Sequence, residues 1–224
     1  MRGLGPIKVP KKTIPQITIH RLSICHRCLE SFAESEMGQK KNTISSSEIS
    51  ELTGIPSNQI RKDLAYFGEF GKRGIGYAIS DLISALKKIL GSSKTREIVL
   101  AGVGNLGEAL LRYKGFQKRG FMITDVFDND PDKIGKKING IIIHDINSLQ
   151  SIVKKRKIKV GIITVPAQNA QVVANHMIAG GIKSILNFAP AILTYPHNIK
   201  IDTIDISIEL ERLVYFLTSK KYEA

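Results

Sequence analysis

Three things are scarce in this sequence: cysteine, long apolar runs, and side chains that would form a recognisable acid–base set. Two cysteines among 224 residues cannot build a disulfide framework, which favours the reducing cytoplasm as compartment. No apolar run reaches the roughly 18 residues that cross a bilayer, and Met1-Arg2-Gly3-Leu4-Gly5-Pro6 lacks the apolar core of an export signal. Both absences argue against a membrane partner. The five histidines, His20, His26, His144, His176 and His197, are scattered over helices and loops, so each reads as structural, and neither a catalytic residue nor a metal site is expected. Cys25-His26-Arg27-Cys28 lies inside a helical pattern, where Cβ atoms about 5 to 6 Å apart would strain a disulfide. With no second cysteine pair to complete a zinc site, both read as small core hydrophobes, and a thiol-sensing role stays open.

What the chain has in excess is positive charge. Lysine and arginine number 33 against 20 acidic side chains, a net charge of +13, which points to polyanions such as nucleic acid. The excess is spread, with 12 basic and 7 acidic residues in 1–80 and 21 and 13 in the remainder. The densest run, Lys154-Lys155-Arg156-Lys157 with Lys159, falls where a helix hands over to a strand. It reads as a solvated helix end, where cations suit the dipole.

Ile98 to Ala101 form an apolar run that turns directly into Gly102-Val103-Gly104-Asn105-Leu106-Gly107 and then into a helix-compatible stretch. A dinucleotide site needs that order. The first glycine makes the tight turn, the second lets backbone approach a pyrophosphate, and the third lets helix and strand pack closely. Asp128 closes a second apolar run, Phe121 to Phe127, 21 positions beyond Gly107. Its carboxylate would accept from a ribose 2′-OH and repel a 2′-phosphate, which favours NAD and NADH over their phosphorylated counterparts.

The first eighty residues have a different grammar. Thr18 to Ser35 carries Leu22, Cys25, Leu29 and Phe32 at helical spacing. Ser45-x-x-Glu48 is a capping box that opens a short helix, and Gly54-Ile55-Pro56 ends it. A third helix, Ser57 to Phe67, turns Ile60, Leu64 and Phe67 to a core and Ser57, Asn58, Arg61, Lys62 and Ala65 outward, residue types suited to a major groove. Gly68 to Tyr77 follows with four glycines and the basic pair Lys72-Arg73 before Gly74, the pattern of a β-hairpin wing. Helix-turn-helix plus basic wing predicts a winged-helix DNA-binding domain over residues 1–90.

Beyond the polar joint Gly91 to Lys94, strands near 97–101, 121–127, 141–143, 159–164 and 184–187 alternate with helices near 105–113, 146–155 and 167–179. This predicts an α/β domain, a Rossmann-like parallel sheet covered on both faces, over 91–206. Thr164-Val165-Pro166 and Asn187-Phe188-Ala189-Pro190 fall at strand ends, as nicotinamide-half candidates or as simple strand terminators. Residues 207–224 read as an apolar helix whose surface is expected to be covered by another subunit, which suits two-fold DNA recognition, with burial against its own domain as the alternative.

Taken together, Ile60-Arg61-Lys62-Asp63-Leu64-Ala65-Tyr66-Phe67-Gly68, the Gly71 to Tyr77 wing, Gly102 to Gly107, Phe127-Asp128-Asn129-Asp130-Pro131 and the two strand-end motifs resemble the bacterial redox-sensing transcriptional repressor Rex family, over Val9 to about Leu217. The resemblance implies a homodimer with domain-swapped C-terminal helices. It also implies repression from a pseudo-palindromic operator, released when NADH rises relative to NAD+. By the same resemblance Arg27, Tyr113 and Asp205 form a polar network between nicotinamide and the DNA-binding domains, with Ile206 standing where an aromatic would cap the ring more fully. The expected function is therefore that of a non-enzymatic, NADH-sensing repressor. The rival is an NAD-dependent oxidoreductase with an accessory nucleic-acid domain, which would need a proton-transfer group the sequence does not display.

Overall fold

The computed structural model describes residues 14–72 and 74–218; expectations that fall on residues 1–13, on Arg73 and on 219–224 lie outside the described residues. The chain divides into two units, Met1–Lys94 and Thr95–Ala224.

In the first unit α1 (Gln16–Glu34), the short α2 (Glu36–Gln39), α3 (Ser46–Thr53), α4 (Ser57–Ala65) and α5 (Ile79–Ile89) surround one core. Leu22, Leu29, Ile49, Ile60, Leu64 and Leu86 are its buried centre. The capping box forms as the sequence predicts: Glu48 N–H donates to Ser45 Oγ, and Ser45 N–H donates back to Glu48 Oε2. Gly54 ends α3 with a left-handed φ of 70°, a conformation glycine adopts without steric cost. The wing is shorter than a two-stranded hairpin. Its tip closes through paired backbone bonds between Lys72 and Gly76, each 3.0 Å. The return strand β2 (Tyr77–Ala78) instead pairs antiparallel with β1 (Thr43–Ile44), which precedes α3. Gly76 has a φ of 90°, and a Cβ there would lie 2.5 Å from the Ile44 carbonyl oxygen, so this close approach excludes any side chain.

The second unit is a seven-stranded sheet. In chain order its strands are β3 (Arg96–Ala101), β4 (Phe121–Asp128), β5 (Lys137–Ile138), β6 (Ile141–Asp145), β7 (Val160–Ile163), β8 (Ser184–Asn187) and β9 (Lys200–Thr203). They lie in the spatial order β5-β6-β4-β3-β7-β8-β9. All pairs are parallel except β5 with β6. Counting only the parallel strands, the third, second, first, fourth, fifth and sixth lie side by side, which is the doubly wound dinucleotide-binding order. Apolar side chains alternate across β3. Val99 and Ala101 pack with α8 (Leu149–Arg156) and α9 (Ala167–Gly180), whereas Ile98 and Leu100 join the opposite layer with Leu110, Leu111 and Phe116 from α6 (Asn105–Arg112) and α7 (Gly115–Lys118).

In this sheet β5 and β9 escape the sequence pattern: both are outermost strands, and β5 is only two residues long. The β5 hairpin nonetheless has a local signal, since Asn139 and Gly140 both take positive φ, as an Asn-Gly two-residue turn requires. The final helix, α10 (Ile206–Thr218), presents Ile208, Leu210, Leu213, Val214 and Leu217 to solvent in the isolated chain. No helix among the described residues is long and apolar enough to cross a membrane.

Candidate functional site

The chain reverses its winding direction between β3 and β7, and a cavity of about 690 Å³ opens there, beyond the carboxyl ends of the strands. This is where an open α/β sheet takes its ligand, and the size suits a cofactor. Each glycine of the loop after β3 has a distinct geometry. Gly102 has a φ of 100°, and a Cβ on it would lie 2.7 Å from the Thr164 carbonyl carbon. A Cβ on Gly107 would lie 2.0 Å from the Gly102 oxygen, whereas one on Gly104 would meet no protein atom within 4 Å. Gly104 thus borders open cavity, which allows a phosphate to approach backbone, and α6 starts there with no side-chain cap on its first N–H groups.

Asp128 closes the loop from the other side. Its Oδ2 accepts from Val103 N–H at 2.7 Å and its Oδ1 from Asp130 N–H at 2.9 Å. Lys133 Nζ stands 3.7 Å from Oδ2. Two carboxylate oxygens have about four acceptor positions, so capacity remains for ribose hydroxyls. Thr164 ties the two strand ends together by donating its hydroxyl to the Gly102 carbonyl at 2.7 Å.

The cavity gathers Gly102, Val103, Gly104, Asp128, Thr164, Val165 and Pro166 from the residues expected. Asn105, Leu106 and Gly107 form the first turn of α6 and are not among the residues that line it. Asn187 is fully buried, and its side chain is committed to the Ala189 backbone N–H and carbonyl, with the Thr203 hydroxyl alongside. Phe188 packs into the layer of Ile98 and Leu100, and Ala189 is buried in the opposite layer. Pro190 borders a separate cavity of about 440 Å³ with Asp205 and Ile208.

Several cavity residues escaped the sequence reading. Asn169, Val172, Val173 and His176 line it from α9 at i, i+3, i+4 and i+7, a helical stripe visible only once α9 is known to border the crevice. His176, read from sequence as structural, is therefore a crevice residue.

In the first unit Asn58, Arg61, Lys62 and Ala65 form an exposed face of α4, with Ser57 half-buried at its start. Arg61 Nη1 donates to Ser46 Oγ at 2.6 Å, which swings its guanidinium toward the wing. There Arg61, Ser46, Lys72 and Gly74 border a cavity of about 520 Å³. Beneath the exposed face, Arg21 holds the buried Asp63 through two bonds, Nε to Oδ2 at 2.6 Å and Nη2 to Oδ1 at 2.8 Å. Gln59 and Thr18 also donate to Asp63 Oδ1. Burial opposes ionisation of Asp63, but the hydrogen bonds from Arg21, Gln59 and Thr18 outweigh it and hold the carboxyl below its ordinary value.

A family model for a CoA binding domain matches residues 93–191, and one described as "Putative DNA-binding protein N-terminus" matches 13–65. The redox-sensing transcriptional repressor Rex of Pelotomaculum thermopropionicum is 47% identical over 211 residues, covering 94% of this chain and 97% of that protein. The chain belongs to the Rex family. Rex of Carboxydothermus hydrogenoformans is similar at 46% identity, covering 90% and 95% of the two chains. The crystal structure of RSP, a Rex-family repressor, in complex with beta-NAD+ and operator DNA matches with a TM-score of 0.85 at 36% identity, covering 92% of this chain and 94% of that one. RSP in complex with beta-NADH matches at 0.82 and 35%, covering 92% and 95%.

The three residues of the expected coupling network have separate local settings. Arg27 is exposed on α1. Tyr113, also exposed, stacks edge-on against Phe116 with ring centroids 5.1 Å apart. Asp205 accepts from the Ser207 hydroxyl and backbone N–H at 2.6 and 2.9 Å, and these bonds pull its pKa below the ordinary value.

Proposed function

We propose that this Rex-family protein is a homodimeric, cytoplasmic repressor that holds a pseudo-palindromic operator when NADH is low and releases it when NADH occupies the crevice. In functional terms, residues 1–90 read DNA, 91–206 hold NAD(H) and 207–224 pair the subunits. One observation carries the reading: a single chain presents both an exposed α4 face of groove-reading residues and a dinucleotide crevice at the switch point of a doubly wound sheet.

On the DNA side, Asn58, Arg61 and Ala65 meet base edges. Ser57, Lys62, Lys72, Arg73 and Gly74 meet the phosphate backbone or the adjoining minor groove. On the cofactor side, the N–H groups at Gly104, Asn105 and Leu106 face the pyrophosphate and Asp128 accepts from the ribose. Gly102, Val103 and Gly107 shape the loop, while Thr164, Val165 and Pro166 with Asn187, Phe188, Ala189 and Pro190 shape the nicotinamide half. When bound, the nicotinamide supplies a ring charge that differs by one between its oxidised and reduced forms. Asp205, Tyr113 and Arg27 then pair differently in the two states and bias the dimer between DNA-competent and DNA-released arrangements. The exposed apolar stripe of α10 is covered by the second copy.

The decisive experiment titrates NADH and NAD+ separately against protein bound to labelled palindromic operator at stated salt. NADH releases the DNA, and reciprocity requires operator to weaken NADH binding by the same factor. Arg61→Ala abolishes DNA binding with NADH binding intact, and Gly104→Glu abolishes the nicotinamide response with DNA binding intact. Operator affinity that stays unchanged at saturating NADH rejects the proposal, and steady turnover of NADH by pure protein favours the oxidoreductase instead.

A further inference from the structure

A row of cations runs along the sheet edge opposite the crevice. Arg96 opens β3, Lys159 precedes β7, Lys183 precedes β8 and Lys200 opens β9, and these four strands are consecutive neighbours. Backbone bonds set three of the residues side by side, since Lys183 N–H donates to the Lys159 carbonyl and Lys200 N–H to the Lys183 carbonyl, each at 2.9 Å. All four are exposed. Strands about 4.8 Å apart spread the row over about 15 Å. The end of α8 adds Lys154, Lys155 and Lys157, also exposed.

The acids of this unit are placed differently. Asp128 and Asp145 end β4 and β6 at the crevice edge, with Asp130 and Asp132 in the turn that follows β4. Nearer the cationic edge, Glu97 and Asp125 are both engaged by Arg156, at 2.9 and 2.6 Å, and Asp202 lies 3.5 Å from Lys200. Complementarity with a helix dipole accounts for cations at the end of α8, but not for Arg96 and Lys200, which open strands. The charge is organised by the sheet edge.

We propose that this edge is a second nucleic-acid surface, taking the phosphates of duplex DNA beside the operator without reading its sequence. The named side chains are all lysine or arginine, with no aromatic or large apolar anchor among them, which suits backbone neutralisation. The choice of DNA over another polyanion rests on the proposed operator binding and on connectivity: the second unit begins at Thr95 and β3 at Arg96. The chain carrying α4 therefore enters this unit at the cationic edge, and a short tether raises the effective concentration of any duplex α4 holds.

The test uses full-length protein, a minimal operator and the same operator extended by about 20 base pairs on each side, with affinity measured across a salt series. The variant is Lys154→Gln/Lys155→Gln/Lys183→Gln, three exposed lysines outside the ion pairs among the described residues. Wild-type protein has a steeper salt dependence on the extended duplex than on the minimal one. The variant loses about 0.9 in slope for each phosphate contact removed, keeps the wild-type slope on the minimal operator and melts at the wild-type temperature. Equal slopes for wild type and variant on the extended duplex overturn the inference while leaving operator binding intact. Failure to bind either duplex overturns both. Loss of binding to phosphatidylserine vesicles with no change in duplex slope assigns the edge to a membrane surface and overturns it as well.

Discussion

The backbone N–H of Val103 donates to Oδ2 of Asp128 across 2.7 Å, and Oδ1 of the same carboxylate accepts from Asp130 N–H at 2.9 Å. One buried acid therefore fixes the glycine loop and the turn after β4 while lining the crevice. Exchanging its carboxylate for an amide removes the charge and leaves the size. Asp128→Asn is expected to weaken NADH binding about 10- to 100-fold, the worth of hydrogen bonds to a charged group, and to narrow the preference over NADPH. Fluorescence titration with both nucleotides measures this.

Gly102 and Gly104 separate fold from binding. Alanine at 102 meets both a φ of 100° and a contact of 2.7 Å with the Thr164 backbone, whereas at 104 it meets nothing. Gly102→Ala is expected to cost about 1–3 kcal/mol of stability in urea denaturation. Gly104→Ala keeps wild-type stability and weakens NADH binding.

The Arg21–Asp63 pair holds α4 against α1 with Asp63 almost fully buried. Asp63→Asn leaves a part-buried guanidinium without its counter-charge. A loss of about 3 kcal/mol follows, together with weaker operator binding and unchanged NADH binding in the folded protein.

Acid should weaken this first unit. The Lys41 ammonium, with the Ser45 N–H and hydroxyl, holds Glu48 at a pKa of about 2, against an ordinary 4.5. Asp63 is also held low. Because both folded-state values are depressed, their stabilisation is complete above the ordinary carboxylate range and drains away as pH falls, for Glu48 between about 4.5 and 2. Urea midpoints measured between pH 6 and 3 should decline, and Glu48→Gln should flatten that decline.

Burial pushes the Cys25 thiol up to about 12, so almost no thiolate exists at neutral pH and the group is a poor nucleophile. Cys25→Ser is expected to keep NADH-driven DNA release, and native Cys25 should resist iodoacetamide until the protein unfolds. A stable Cys25→Ser protein that no longer responds to NADH would instead point to thiol chemistry.

Local chemistry made much of this molecule legible in advance. Ser45 and Glu48 specify a capping box within four residues, Gly54 stops a helix by its own backbone freedom, and Gly102 to Gly107 announce a strand-turn-helix. Each depends on neighbours in sequence, as do the apolar alternation of β3 and the outward face of α4. Long-range pairings were not legible. Arg21 and Asp63 lie 42 positions apart, and each alone resembles a solvated charge. Sequence places Asn187 at a strand end but not what its side chain holds: strand pairing brings Thr203 beside it, and the Ala189 turn takes up its amide.

The sequence by itself determined the two kinds of unit, their order, and the glycines and acid of the nucleotide loop, because periodicity, caps and tight turns are set by residues within a few positions of one another. Tertiary structure alone decided that α9 lends Asn169 and His176 to the crevice, that Arg61 leans on Ser46, and that scattered lysines align along one sheet edge. Those relations arise from strand order and packing, which bring distant residues together by burying apolar faces that no local pattern encodes.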